Sequence, residues 1–268
     1  MAADVRRLPV TSHPASEEGP EPRSESAPEP PLEPPNPLPS ASPLDRTFLT
    51  GLPGVTTLLL IRHGKQHFPR RDRPTTADWV NPPLSETGLR QAVAVGDALA
   101  REQIDAVYSS PLIRALTTAQ HVARHHGLEP QVVADLREIE LFRDLPDATG
   151  LAEAIGGDEL LRLQERFIQE RRWDVYPFSE SSADFRARVI PAIEAIVARH
   201  PGQRVAVACH SGVTNGYVAH VLGLGEDMFF RAAHASVSRV LAGGGRRVVH
   251  SLNETHHLTE VDPAILTV

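Results

Sequence analysis

Beyond residue 55 the chain is punctuated by four short apolar runs: 56–61 (TTLLLI), 104–109 (IDAVYS), 131–134 and 204–209 (RVAVAC). Each is partly β-branched and bounded by charge, which predicts buried strands. Helical spacing fills the gaps between them. Leu89, Ala92, Val93, Gly96 and Leu99 recur with that period, and a second helix is expected to begin at Ser110-Pro111, a serine cap before a proline at the first helical position. Strands alternating with helices imply an α/β fold, a three-layer α/β/α sandwich whose central sheet is mainly parallel. Such sheets bind ligands beyond the carboxyl ends of their strands. Residues 236–242 and 247–252, separated by Gly243-Gly244-Gly245, predict a late hairpin or an edge strand pair. Over 142–182 the strand signal fades, and Leu160, Leu163, Phe167 and Ile168 suggest a helical insertion, a candidate lid.

Composition divides the 268 residues in two. From Pro9 to Pro43 proline, glutamate and serine dominate, as in SESAPEPPLEPPNPLPS. That segment cannot bury enough apolar area to offset its ordering entropy, so residues 1–50 are expected to be a disordered tail with local polyproline II character. One folded domain is expected over 51–268, long enough for a self-sufficient core. The formal net charge is −7, and eight acids against four bases in the first fifty residues account for more than half of it. The remainder carries no continuous basic stripe, which argues against nucleic acid as a partner. The single cysteine, Cys209, excludes an internal disulfide. No apolar run approaches the roughly 18 residues of a membrane span, and the N-terminus lacks the order of a signal peptide, so a soluble, cytoplasmic protein without membrane contact is expected. Oligomeric state is not readable.

The chemistry-bearing residues cluster just past the strand ends. Arg62-His63-Gly64 follows the first strand, and Ser109-Ser110-Pro111-Leu112-Ile113-Arg114-Ala115, with Thr118-Ala119, follows the second. Leu136-Arg137-Glu138 comes after the third strand and His210-Ser211-Gly212 after the fourth. All four elements can therefore face one pocket. Arg62 and Arg114 offer planar forks for bidentate phosphate binding, Arg114 in the first turn of a helix whose N-terminus also favours an anion. His63 can attack phosphorus through a neutral imidazole nitrogen. Gly64 would leave room for the backbone to approach a ligand. The imidazole of His210 can donate to a phosphoryl oxygen, and Ser211 is a candidate cap for the next helix.

This set resembles the histidine phosphatase superfamily, also called phosphoglycerate mutase-like: RHG after an apolar strand, SSPLxRAxxTA one unit later, a glutamate after the next strand, and HSG near the end. The likeness covers about residues 55–260. It implies a phosphatase that uses no metal and no cofactor, hydrolysing a small phosphorylated substrate through a phosphohistidine at His63. It further implies Glu138 as the acid that protonates the leaving group and then the base for water. The chain also departs from the family pattern. Lys65-Gln66-His67-Phe68-Pro69 stands where threonine or serine, then asparagine, are common, which makes Gln66 a candidate phosphate donor. No glycine follows Glu138 closely, and Glu140 is a rival for the acid role, on the same side of an extended segment.

Cys209 ends an apolar strand and is expected in the core rather than as a nucleophile. His125-His126 and His256-His257 lack partners at metal-ligand spacing and read as solvated pairs. Arg70, Arg71 and Arg73 with Trp79, and Arg171, Arg172 and Trp173, fit either recognition of a second anionic group or solvated loops. Two other functions stand beside the phosphatase: a cofactor-dependent phosphoglycerate mutase, disfavoured because no ESxWN-like continuation follows RHG, and a catalytically silent binding module.

Overall fold

In the computed structural model, residues 41–68, 75–147 and 149–268 are described. The strands are Thr56–Arg62 (β1), Ala106–Ser109 (β2), Gln131–Val132 (β3), Arg204–Cys209 (β4), Val237–Gly243 (β5) and Arg246–Glu254 (β6). They form one six-stranded sheet in the order β3-β2-β4-β1-β5-β6. The first four are parallel, whereas β5 runs antiparallel to β1 and β6 antiparallel to β5. The expected hairpin is therefore present, with β5 inside the sheet and β6 at its edge.

Nine helices accompany the sheet among the described residues: Pro43–Phe48 (α1), Thr76–Val80 (α2), Glu86–Leu99 (α3), Ile113–Ala123 (α4), Leu151–Ala154 (α5), Gly157–Glu170 (α6), Ser182–Arg199 (α7), Ser211–Leu222 (α8) and His256–Val261 (α9). Successive strand side chains point to opposite faces, so each continuous apolar run feeds two cores. Leu58, Leu60, Val205, Val207 and Cys209 pack with Phe185, Val189 and Ile193 of α7 and Val213 and Tyr217 of α8. Leu59, Ile61, Ala206 and Ala208 pack on the other face with Val95 and Leu99 of α3, Ala119 and Val122 of α4, and Leu258 of α9. The three-layer α/β/α reading holds.

Several local expectations do not. Residues 1–40 lie outside the described residues, but the tail does not run to 50, because α1 begins at Pro43 with Ser42 as its cap. The Ser42 hydroxyl accepts the Asp45 N–H and the Asp45 carboxylate takes the Ser42 N–H, a capping box with Pro43 at the first position. Of the expected α3 stripe, Ala92, Gly96 and Leu99 are buried and Val93 partly so, whereas Leu89 is exposed; Gln91 and Val95, not expected there, also face inward. The segment 131–134 is no buried strand. Only Gln131 and Val132 pair, at the sheet edge and exposed, before a 3-10 turn at Ala134–Leu136 buries Leu136 against the α7 side. The insertion is helical as expected. Of its four marked residues Leu163 is buried and Ile168 largely exposed, so α6 lays only a narrow stripe on the body of the protein.

Candidate active site

Strand register assembles the site. Arg62 pairs with Cys209 as the last rung between the parallel strands β1 and β4, and the His63 N–H reaches the Cys209 carbonyl at 3.0 Å. His63 and His210 thus leave neighbouring strands at the same level, their rings edge to face with centroids 5.0 Å apart. Ser109 of β2 pairs with Ala208 of β4, so Ser110 emerges beside them and its hydroxyl lies 2.8 Å from His210 Nε2.

His63 is buried, and its two ring nitrogens have different partners. Nδ1 lies 2.7 Å from the Gly64 carbonyl, which can only accept, so Nδ1 carries the proton. Nε2 accepts Arg114 Nε–H at 3.2 Å and therefore presents a lone pair. Burial, then the proximity of His210, Arg114 and Arg62, holds the imidazole pKa well below its usual range, against the Gly64 bond. The ring is neutral.

Arg114, the second residue of α4, is almost fully buried. Its Nη1 donates to the Val80 carbonyl at 3.2 Å, and Asn81 Oδ1 accepts the Ile113 N–H at 2.8 Å, so the end of α2 holds the start of α4. The predicted Ser110 cap is absent. Leu112 occupies the cap position, and Ser110 instead joins His210 while accepting the Leu112 N–H at 3.3 Å. Ser211 likewise does not cap α8. His210 is the N-cap, and the Glu138 carboxylate takes the Gly212 N–H at 3.1 Å, meeting one of the free donors of that helix start. A Cβ on Gly212 would stand 2.3 Å from Glu138 Oε1, so any other residue there would displace that carboxylate.

The other Glu138 oxygen accepts the Ile139 N–H at 3.1 Å. Burial raises the Glu138 pKa, opposed by these two amides and by the Arg114 and Arg62 charges. Glu140 is turned elsewhere, its carboxylate on Arg137 Nε at 3.1 Å and much of it exposed. Arg62 reaches the Ala232 carbonyl through Nη1 and His234 Nε2 through Nη2 at 3.0 Å. Arg62 Nε and His210 Nδ1 are buried without a protein partner among the described residues. Desolvation lowers the Arg62 pKa to about 10, still charged at neutral pH, and holds His210 well below its ordinary value.

Gly64 also serves helix packing. Its missing side chain admits α3, because a Cβ there would meet the Gly88 carbonyl at 2.3 Å, and one on Gly88 would stand 2.0 Å from the Lys65 carbonyl. Backbone on both sides leaves nothing to yield cheaply. The Gly88→Ala variant is expected to lose about 1–3 kcal/mol, read as a fall in Tm of several degrees on the roughly 2–4 °C per kcal/mol scale of domains this size. An unchanged melting curve would contradict the close approach.

Gln66 forms an isolated bridge with Leu84 and lines a groove of about 430 Å³ with Lys65, His67, Phe68, Ser85 and Glu86. No hydrogen bond joins its side chain to His63, Arg62 or Arg114 among the described residues. Arg70, Arg71 and Arg73 lie outside the described residues; Trp79 meets Phe68 edge to face at 5.8 Å. Arg172 pairs with Asp174 on the surface, and Trp173 stacks on Phe167 at 4.5 Å. Cys209 is buried, and burial pushes its thiol up to about 12, which suits a core residue. His125 is not merely solvated, for it lies 2.9 Å from Asp97, and His257 is buried against the Ala235 carbonyl.

Two residues escaped the sequence reading. His234 accepts Arg62 Nη2–H and so donates from Nδ1 to Thr267 Oγ1 at 2.9 Å; burial and the Arg62 charge lower its pKa to about 3. Gln91 Nε2 bonds that same hydroxyl at 2.9 Å, while Gln91 Oε1 takes the Lys65 N–H at 2.7 Å. The loop after His63 is thereby tied to the C-terminal residues. A signal for His234 existed: an antiparallel strand starts where parallel strands end, so residues just before β5 face the same edge.

These histidines also shape stability. His63, His210 and His234 all have pKa values depressed by folding. Their contribution is therefore fully present above the unfolded value near 6.5 and is lost as pH falls below it. Each takes up a proton on unfolding, worth up to about 1.4 kcal/mol per pH unit. Urea unfolding between pH 7 and pH 5 should show falling stability and proton uptake; a flat profile would mean the three are protonated in the folded state.

Residues 58–255 match the model of the histidine phosphatase superfamily, branch 1, and the chain belongs to that superfamily. It is 30% identical over 208 residues to phosphoserine phosphatase 1 of Hydrogenobacter thermophilus, covering 77% of this chain and 96% of that protein. Over 178 residues it is 35% identical to a 2,3-bisphosphoglycerate-dependent phosphoglycerate mutase of Methylobacterium radiotolerans, covering 63% of this chain and 80% of that protein. Among solved structures, a mycobacterial glucosyl-3-phosphoglycerate phosphatase superposes with a TM-score of 0.62 at 25% identity, covering 75% of this chain and all of the other.

Proposed function

We propose that the protein is a metal-independent phosphatase that hydrolyses a small phosphate monoester through a phosphohistidine at His63. The observation that carries the reading is the His63 tautomer: Nδ1–H is fixed on the Gly64 carbonyl and the Nε2 lone pair is held beside the Arg114 guanidinium. A neutral imidazole aimed at a buried cation is a nucleophile next to an anion site.

In the first step Nε2 attacks phosphorus, the P–O bond to the leaving group breaks, and the Glu138 carboxylic acid protonates the departing oxygen. In the second, the Glu138 carboxylate takes a proton from water as that water attacks the phosphohistidine. The P–N bond breaks, inorganic phosphate leaves, and His63 returns to its neutral form. Arg62, Arg114 and His210 neutralise charge on the phosphoryl oxygens, with Arg62 Nε and His210 Nδ1 as the buried donors that lack a protein partner. Phosphoryl transfer depends chiefly on such positioning and charge stabilisation. Glu138 is assigned the acid over Glu140, whose carboxylate is engaged by Arg137.

The relatives named above are phosphatases or mutases of compounds that carry a phosphate ester near a carboxylate, and phosphorylated carboxylates such as phosphoserine head the substrate panel. The deciding assay is hydrolysis of p-nitrophenyl phosphate and of that panel with EDTA present, where undiminished turnover is expected. Absence of turnover with every ester, together with no binding of phosphate or vanadate, would leave a silent binding module. The likeness to the mutase supports a second reading, in which the phosphoryl group returns to substrate. Transfer from a bisphosphoglycerate that outruns hydrolysis would select it.

A further inference from the structure

Glu138 stands on a stretch with little regular structure of its own, a loop after the 3-10 turn Ala134–Leu136. Arg188, on α7, holds it. Its Nε donates to Glu180 Oε1 at 2.7 Å, and its Nη2 to Glu180 Oε2 at 2.8 Å and to the Glu138 carbonyl at 3.0 Å. Nη1 donates to the carbonyls of Asp135 at 2.7 Å and Arg137 at 2.8 Å. Five bonds use every N–H that a guanidinium has. Glu180, itself buried, accepts the Glu140 N–H at 3.3 Å and returns its own N–H to the Glu140 carbonyl at 3.0 Å.

An exposed ion pair of this kind would contribute little. This one is largely withdrawn from water, with side-chain exposures of 13% and 3%, and its fork geometry is bidentate. It grips the backbone at 135, 137, 138 and 140 from one point on a long helix, bracketing Glu138. None of its bonds goes to Arg62, His63, Arg114 or His210.

We propose that Arg188, oriented by Glu180, is a positioning residue for proton donation: it sets where the Glu138 carboxyl stands relative to the leaving oxygen. The inference rests on the reading of Glu138 as the acid. Loosening this grip should slow phosphohistidine formation where the leaving group needs a proton and spare that step where none is needed.

Arg188→Lys is the informative variant. It keeps the charge near His210 and the pairing with Glu180, but a single ammonium cannot span three carbonyls and both carboxylate oxygens. The kcat/KM for phosphoserine, which reports phosphohistidine formation and not its hydrolysis, is expected to fall at least tenfold more than kcat/KM for p-nitrophenyl phosphate. In a Glu138→Gln background the same change should add no further selectivity, because the group being positioned is gone. Equal losses on both esters would show Arg188 to be structural only and overturn the proposal. Should R188K not fold, E180Q, which loosens the fork without removing it, is read by the same ratio; no change in that ratio, or failure of both variants to fold, also overturns it. The Glu138 control separates the two failures. An unselective E138Q defeats the acid assignment itself, whereas a selective E138Q with an unselective R188K defeats only the positioning role.

Discussion

His63→Ala is expected to lose on the order of 10^5 to 10^6 in turnover, the scale seen when a nucleophile is removed from a covalent mechanism. The loss should be alike for esters of good and poor leaving groups, since in both the phosphoryl group must first pass to His63. His63 is buried with its ring enclosed by Arg114, His210 and His234, so its removal leaves a polar gap rather than an apolar cavity. A melting curve must therefore accompany the activity measurement. The wild-type protein quenched during turnover should carry phosphate that is acid-labile and base-stable, mapping to His63. Phosphate trapped on a serine or on Cys209 would sink the mechanism, as would an H63A protein that is folded and active.

The parts of this site legible in the sequence are those governed by the strands. Within TTLLLI and RVAVAC the stretches LLLI and VAVAC are apolar at every position because both faces of β1 and β4 are covered, and only parallel neighbours ending in register bring His63 and His210 side by side. What was not legible depends on backbone meeting backbone. The purpose of Gly64 is set by Gly88, 24 residues on, and no local pattern announces that α3 crosses there. Ser110-Pro111 has the composition of a helix start, yet the helix begins two residues later because the hydroxyl is drawn to His210. The incomplete reading of the α3 stripe has a similar origin. Gln91, polar and fully buried, belongs to the inward stripe because it binds the loop after His63 and the C-terminal residues, and a hydrophobic count skips it.

The lack of a glycine after Glu138 also finds its local answer. Phe142, not a glycine, adopts a left-handed backbone with φ 59°, a conformation disfavoured for bulky side chains. Its N–H donates to Ser179 Oγ at 2.8 Å and its ring meets Tyr176 edge to face, so contacts with the insertion hold a turn that local sequence would not choose.

Glu138→Gln provides the sharpest test of how the two half-reactions share one carboxyl. Burial favours the protonated form of Glu138 in the folded protein, so the acid persists above the ordinary carboxylate range. Activity on phosphoserine or another alkyl ester should therefore fall as pH rises through that raised value, while the attack by His63 needs no such proton. Replacing the acid by an amide of equal shape keeps an oxygen that can accept from Gly212 or Ile139 but removes the proton donor. Turnover of alkyl phosphates is expected to drop about 10^2- to 10^4-fold, with the descending basic limb abolished. On p-nitrophenyl phosphate, whose leaving group departs as a stable anion, formation of the phosphohistidine should be nearly unchanged. Its hydrolysis should slow, because water has lost its base, so a burst of nitrophenolate equal to the enzyme concentration is expected before a slower steady state. Rapid-quench kinetics read both phases. A burst with intact basic limb on alkyl esters would transfer the acid role to another group while leaving Glu138 the base; loss of the burst itself would place Glu138 in the attack on phosphorus.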